Sequence, residues 1–189
     1  MAKRETAMIE REDIVAAVVA AAEGSLTGRV RLQKTVYLLD RLGLSSGFKF
    51  DYHHYGPYSR DLDNATADAK AFDLIDEKFA HRESDGALYS IFELKNGARA
   101  KPPAYGELGA QKTEELVKTF TRTNVTVLEL AATIDWLCRF EAHSEDWNRE
   151  IAKRKPVKVK NGRLQKAVEL LGKLGIPPPQ AGRVLSSNA

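Results

Sequence analysis

The sequence predicts a mainly α-helical protein with a small β-hairpin, an α+β fold in which a helical bundle begins with a winged-helix-like half. Three observations carry that expectation. Residues 29–42 place Leu32, Val36, Leu39 and Leu42 on one helical face. Two alternating runs, about 74–82 and 87–94, flank Ser84-Asp85-Gly86, a hairpin turn. Residues 110–121, 126–141, 145–154 and 163–174 then carry helical periodicity.

Taken in order, residues 10–22 (EREDIVAAVVAAA) read as the first helix. Acidic residues in its first turn suit the helix dipole, and Gly24 stands where a C-terminal cap belongs. The helix at 29–42 ends at Gly43. Residues 48–53 (FKFDYH) alternate Phe48, Phe50 and Tyr52 with Lys49, Asp51 and His53, which predicts a strand or extended segment. Gly56-Pro57 turns the chain. Ser59 is placed to N-cap a helix through about Asp73, with Leu62, Ala65, Ala69 and Phe72 facing inward. Residues 96–106 (NGARAKPPAYG) form a breaker-rich connection, and Ser144 is an N-cap candidate for the helix carrying Trp147. A basic linker, 155–162, leads to the last helix, which IPPPQ ends. One domain is expected over residues 1–175, with a motif-bearing core at 8–95, a helical part at 107–175, and a tail at 176–189.

Residues 32–43 (LQKTVYLLDRLG) and 164–175 (LQKAVELLGKLG) agree at eight of twelve positions. Nothing around them repeats, so the echo reads as two Leu-rich amphipathic helices rather than as a duplication.

Of the 189 residues, 43% are apolar and 29% charged, a balance that fills a core and keeps a polar surface. The longest apolar run, Ile14 to Ala22, is too short to cross a bilayer, and the first residues do not lead into an export signal. Cys138 is the sole cysteine, so no internal disulfide forms. A cytoplasmic location is expected. The net charge of +3 conceals an asymmetry. Residues 149–189 hold ten Lys/Arg against Glu150 and Glu169, leaving 19 basic and 24 acidic groups in residues 1–148. Such a basic end either meets nucleic acid or packs on the acidic body.

The stretch DYHHYGPYSRDL, residues 51–62, holds the densest chemistry. Adjacent histidines on a strand point to opposite faces, and only His81, His143 and Cys138 remain as further soft ligands, so no metal site is expected. Ser59 with His53 or His54 and Asp51 or Asp61 invites a triad reading. It lacks a GxSxG elbow, and no Walker A or GxGxxG pattern occurs. Cys138, beside Trp136 and Leu137 in a helical run, reads as a core residue. The residues therefore point to no catalytic group, metal or cofactor. Gly and Pro supply a tight turn whose tyrosine rings either pack or present a surface.

RLQKTVYLLDRLG, an aromatic extended segment, YGPYSRDL, and a helix ending FDLI before a β-hairpin together resemble the SocA-like antitoxin (Panacea) domain, and within it the YwgA-like branch. Leu32, Gln33, Lys34 and Tyr37 match the first family motif; Tyr55, Gly56, Pro57, Ser59 and Leu62 match the second. The resemblance covers residues 10–95 well and the helices to about 175 more loosely. It implies a mostly helical domain with a small hairpin that neutralises or regulates a partner protein, and it brings no catalytic residues.

Function is therefore expected to be non-catalytic protein binding, as an antitoxin or accessory regulator, with Tyr52, His54, Tyr55 and Tyr58 as candidate partner-binding residues. The alternative is a winged-helix DNA-binding regulator. Its third helix would offer Asp61, Asp63, Asp68 and Asp73 against Arg60 and Lys70, a poor match to phosphates. Candidate nucleic-acid contacts lie instead at Lys153, Arg154, Lys155, Lys158, Lys160 and Arg163.

Overall fold

The apolar run after Glu12 and Asp13 forms α1 (Arg11–Ala21), and its burial is nearly all-round, from Ile14 to Val19. Each fully enclosed valine or isoleucine there contributes about 1.5–3 kcal/mol. Val18→Asp would place an unpaired carboxylate in that core and break the helix's packing. The structure, a computed structural model, describes residues 10–95 and 106–180. Most of the breaker-rich connection and the end of the C-terminal tail lie outside the described residues. No helix of the described residues is long and apolar enough to cross a membrane.

The remaining elements are β1 (Ser25–Thr27), α2 (Arg29–Arg41), β2 (Asp51–His53), β3 (Gly56–Tyr58), α3 (Arg60–Ala71), β4 (Ile75–His81), β5 (Leu88–Leu94), α4 (Ala110–Arg122), α5 (Val125–Phe140), α6 (Trp147–Arg154) and α7 (Arg163–Lys173). The fold is mainly α with a small β part. The chain divides into two compact units: Met1–Phe50 with Ser59–Arg122, and Asp51–Tyr58 with Thr123–Ala189.

In the first unit, β4 and β5 pair antiparallel from Ile75 opposite Leu94 to His81 opposite Leu88. The Ser84–Gly86 turn joins them as expected. A third strand, β1, was not expected. It lies on β5 with Leu26 opposite Phe92, giving the order β1-β5-β4. Ser25-Leu26-Thr27 alternates exposed, buried, exposed, but three residues between Gly24 and Gly28 are too few to signal a strand, and their ladder partner is far along the chain. Within the first unit the elements run α1-β1-α2-α3-β4-β5. Helix α1 packs on both α3 and α4, and α2 packs on α4.

Helix α2 departs from the amphipathic expectation. Its residues Leu32 to Leu39 are all buried, including Gln33, Lys34 and Thr35, whereas Leu42 is only half-buried. Ser59 caps α3 as expected, its hydroxyl accepting from the Leu62 amide at 3.2 Å. Leu62, Ala65 and Ala69 face inward, but Phe72 does not; it is 64% exposed at the C-cap. The chain turns there through Asp73, at φ 59°, which carries Phe72 off the buried face. The strand expected at 48–53 shrinks to Asp51–His53. Phe48 is buried and the Phe50 ring meets Tyr37 edge-on at 5.3 Å, so the alternation reflects side-chain packing without a ladder.

In the second unit, β2 and β3 form a two-stranded ladder, with Tyr52 opposite Pro57 and His53 opposite Gly56. Strand β3 packs on α5, and α5 packs on α6 and α7. Asn124 caps α5 by accepting from the Thr126 and Val127 amides. Helix α6 starts later than expected, at Trp147, with Asp146 rather than Ser144 at its N-cap. Helix α7 ends in a Schellman turn: Gly175, at φ 75°, donates to the Gly172 carbonyl, and Ile176 donates to that of Leu171.

Candidate functional site

Gly56 sets the geometry of the β2–β3 turn. It adopts φ 81°, and a Cβ there would stand 2.4 Å from Thr133 Oγ1. That hydroxyl is held by the Glu129 carbonyl at 2.8 Å and cannot swing away freely. Only glycine lets the turn lie this close to α5. Pro57 follows, buried.

Beneath the turn lies a buried ion-pair node. Glu129 Oε1 accepts from Lys155 Nζ at 2.7 Å, and both side chains are 4% exposed. Lys155 also donates to the His54 carbonyl at 2.9 Å, which ties the turn to the segment after α6. Lys158 reaches Glu129 as well, at 2.7 Å, and its ammonium stands 4.6 Å from the Tyr55 ring centre. Burial lowers the Lys155 pKa, against the pull of the Glu129 carboxylate. Glu129 was not anticipated. A carboxylate within the apolar run VTVLELAATIDWL was the available signal, since such a group needs a buried partner.

A second node flanks the first. Arg154 bonds Glu141 and Glu150, each at 2.6 Å, and its guanidinium lies over the Tyr52 ring at 4.7 Å. The Glu141 and Glu150 hydrogen bonds raise the Arg154 pKa against burial. Burial raises that of the Tyr52 hydroxyl.

The second unit thus brings the four candidate partner-binding residues together on one turn. Tyr52 and Tyr58 are half-buried, His54 is exposed, and Tyr55 is 50% exposed. The ring of His53 meets Tyr58, and that of His54 meets Tyr55. The basic segment is not one free stripe. Arg154, Lys155 and Lys158 are engaged with carboxylates inside the unit, and Arg163 donates to the Lys160 and Val157 carbonyls. Lys153 sits 3.7 Å from Glu150, and Lys160 is exposed.

In the first unit, Gln33 reads Ser59 on both backbone atoms and also donates to Asp63 at 2.8 Å. The Ser59 hydroxyl is fully buried and used as a cap. Lys34 is buried as well, at 1% exposure. A cavity of about 80 Å³ lies among Arg29, Leu32, Asp63, Thr66, Lys70 and Phe92. Beside it Glu77 holds Lys70, Ser90 and Arg29. Among the described residues no three His, Cys, Asp or Glu side chains gather as a metal site would need. Cys138, expected in the core, is half-buried; burial and then Asp135 push its thiol up to about 11.

No family model matches the chain. Its sequence is similar to the uncharacterized protein YwgA of Bacillus subtilis (strain 168), 41% identical over 39 residues. That stretch is 21% of this chain and about a quarter, 24%, of the relative's length. The relationship is therefore a distant, YwgA-like one.

Proposed function

We propose that the chain is a non-catalytic protein-binding module, an antitoxin or accessory regulator of the SocA-like type, and that the β2–β3 turn is its contact surface. One observation carries the reading: the exposed ring of Tyr55 stands on a backbone anchored from below by Lys155 and Glu129. An aromatic anchor held rigid before binding loses little entropy when a partner arrives. The test is purification of the tagged chain from native cells with and without nuclease, repeated with Tyr55→Ala. A stoichiometric protein that survives nuclease and is lost with Tyr55→Ala supports the reading. Unchanged capture by Tyr55→Ala removes the turn from the interface.

The alternative, a DNA-binding regulator, draws support from the winged-helix element order of the first unit. Its charge distribution speaks against it. Helix α3 presents Asp61, Asp63 and Asp68, and its one late cation, Lys70, is bound to Glu77. Phosphates are repelled by such a helix. Nucleic acid that co-purifies and is released by salt would favour this alternative over protein binding.

A further inference from the structure

The segment after α7 does not leave the protein surface. Its Schellman turn at Gly175 aims residues 176–180 back across α6, where Trp147 Nε1 donates to the Pro179 carbonyl at 2.9 Å. Trp147 is 7% exposed in this arrangement. Ile176 and Pro178 are half-buried, while Pro177, Pro179 and Gln180 face solvent. Three consecutive prolines hold their own φ near −65° and exclude the helical region for each residue before a proline. The segment is thereby restricted to the extended polyproline conformation without any ladder partner.

An indole N–H bonded to the carbonyl of a proline within a polyproline segment, as Trp147 is to Pro179, is a contact by which aromatic sites read proline-rich peptides. We infer that Trp147 anchors a proline-recognition site filled in cis by residues 176–180, and that a proline-rich segment of another protein competes for the same seat. The segment suits such exchange. It contributes no strand or helix, and among the described residues its one hydrogen bond to α6 is that between Trp147 and Pro179. The chain between Gly175 and Pro179 is short, so the cis ligand acts at roughly millimolar effective concentration and masks the groove from weak competitors. None of the β2–β3 turn residues is involved, and the inference stands or falls apart from the proposal above.

The test uses the full chain and a synthetic peptide of its own residues 174–182, LGIPPPQAG. The readout is the indole N–H resonance of Trp147, distinguished from that of Trp136 by its absence in Trp147→Phe. Replacing Pro177, Pro178 and Pro179 together by Ala loosens the cis ligand. The indole should then become more accessible to a quencher, and the peptide should bind at least roughly tenfold more tightly than to the unaltered chain. Adding Trp147→Phe should abolish most of that binding. Peptide binding that survives Trp147→Phe overturns the inference, as does an indole resonance unmoved by peptide in the triple variant. If the triple variant does not fold, the unaltered chain decides. At about 5 mM peptide, near the effective concentration of the cis segment, a shift confined to Trp147 supports the inference and no shift overturns it.

Discussion

Gln33 and Ser59 exchange two hydrogen bonds: the Gln33 amide donates to the Ser59 carbonyl at 2.9 Å, and the Ser59 N–H donates to Gln33 Oε1 at 2.8 Å. A side chain from the middle of α2 thus completes the backbone just before α3. Within the first unit the pair ties Gln33 of the first sequence motif to Ser59, the serine of the second. Replacing Gln33 by Leu leaves a buried N–H and a buried C=O without their partner. Each such group costs about 1–3 kcal/mol, so the variant should lose roughly 2–6 kcal/mol in urea unfolding. A loss below about 0.5 kcal/mol would show that water replaces the glutamine.

Glu129 neutralises two lysines, one of them enclosed. Glu129→Gln should cost about 3–5 kcal/mol, because Lys155 loses its buried counter-ion and must either stay charged without it or give up its proton. Lys155→Met should cost less, since Glu129 retains Lys158. Chemical denaturation of the two variants reads the asymmetry; equal losses would contradict the assignment of Lys158 as a second partner.

Glu77 makes the first unit sensitive to acid. Burial alone would raise its pKa, but hydrogen bonds from Lys70, Ser90 and Arg29 outweigh that and hold it at about 2, below its ordinary 4.5. A carboxyl depressed in the folded state adds stability above its unfolded pKa and loses it as pH falls through the folded value. The contribution should be full above about pH 5 and should vanish toward pH 2. Its size is roughly 2 kcal/mol, discounted because Arg29 is largely exposed. Unfolding of the native chain and Glu77→Gln from pH 6 to pH 2 should show their difference shrinking across that window.

Gly56→Ala meets both a positive φ and the Thr133 hydroxyl. The variant should be destabilised by about 2–4 kcal/mol. Adding Thr133→Ala should recover the steric part and leave the backbone part, about 1 kcal/mol. A double variant no more stable than Gly56→Ala would mean that φ alone carries the cost.

The Cys138 thiol, pushed up to about 11 from an ordinary 9.0, carries about a hundredfold less thiolate near pH 8 than a free thiol. Alkylation of the native chain should be slower by a similar factor than in urea, as a discontinuous thiol assay would show.

Much of the fold was legible in local pattern. Helical periodicity placed α1, α2, α3 and α7 within a residue or two of their observed ends, and Ser84–Gly86 announced the β4–β5 hairpin. Ser59 was readable as a cap because a cap acts on amides two or three residues away. Strand β1 was not readable. Its three residues are extended because β5, brought from far along the chain, offers a ladder edge. Phe72 was misplaced for a related reason: periodicity continues on paper past the residue where the helix turns out.

The two copies of Leu-Gln-Lys separate what sequence determines from what it leaves open. Both lie in the first half of helices of similar length and ending, because helix propensity and a terminal Gly act through neighbouring residues. In α2, Gln33 and Lys34 are enclosed; in α7, Gln165 and Lys166 are exposed, and Gln165 reaches Glu169 one turn on. The same holds for the basic segment. Composition counted its cations, but the distant Glu129 and Glu141 determined that Lys155, Lys158 and Arg154 serve the interior. Local sequence sets backbone conformation through short-range sterics and hydrogen bonds. Whether a polar side chain is buried, and which charge it meets there, depends on partners that only the folded chain brings within a few ångströms.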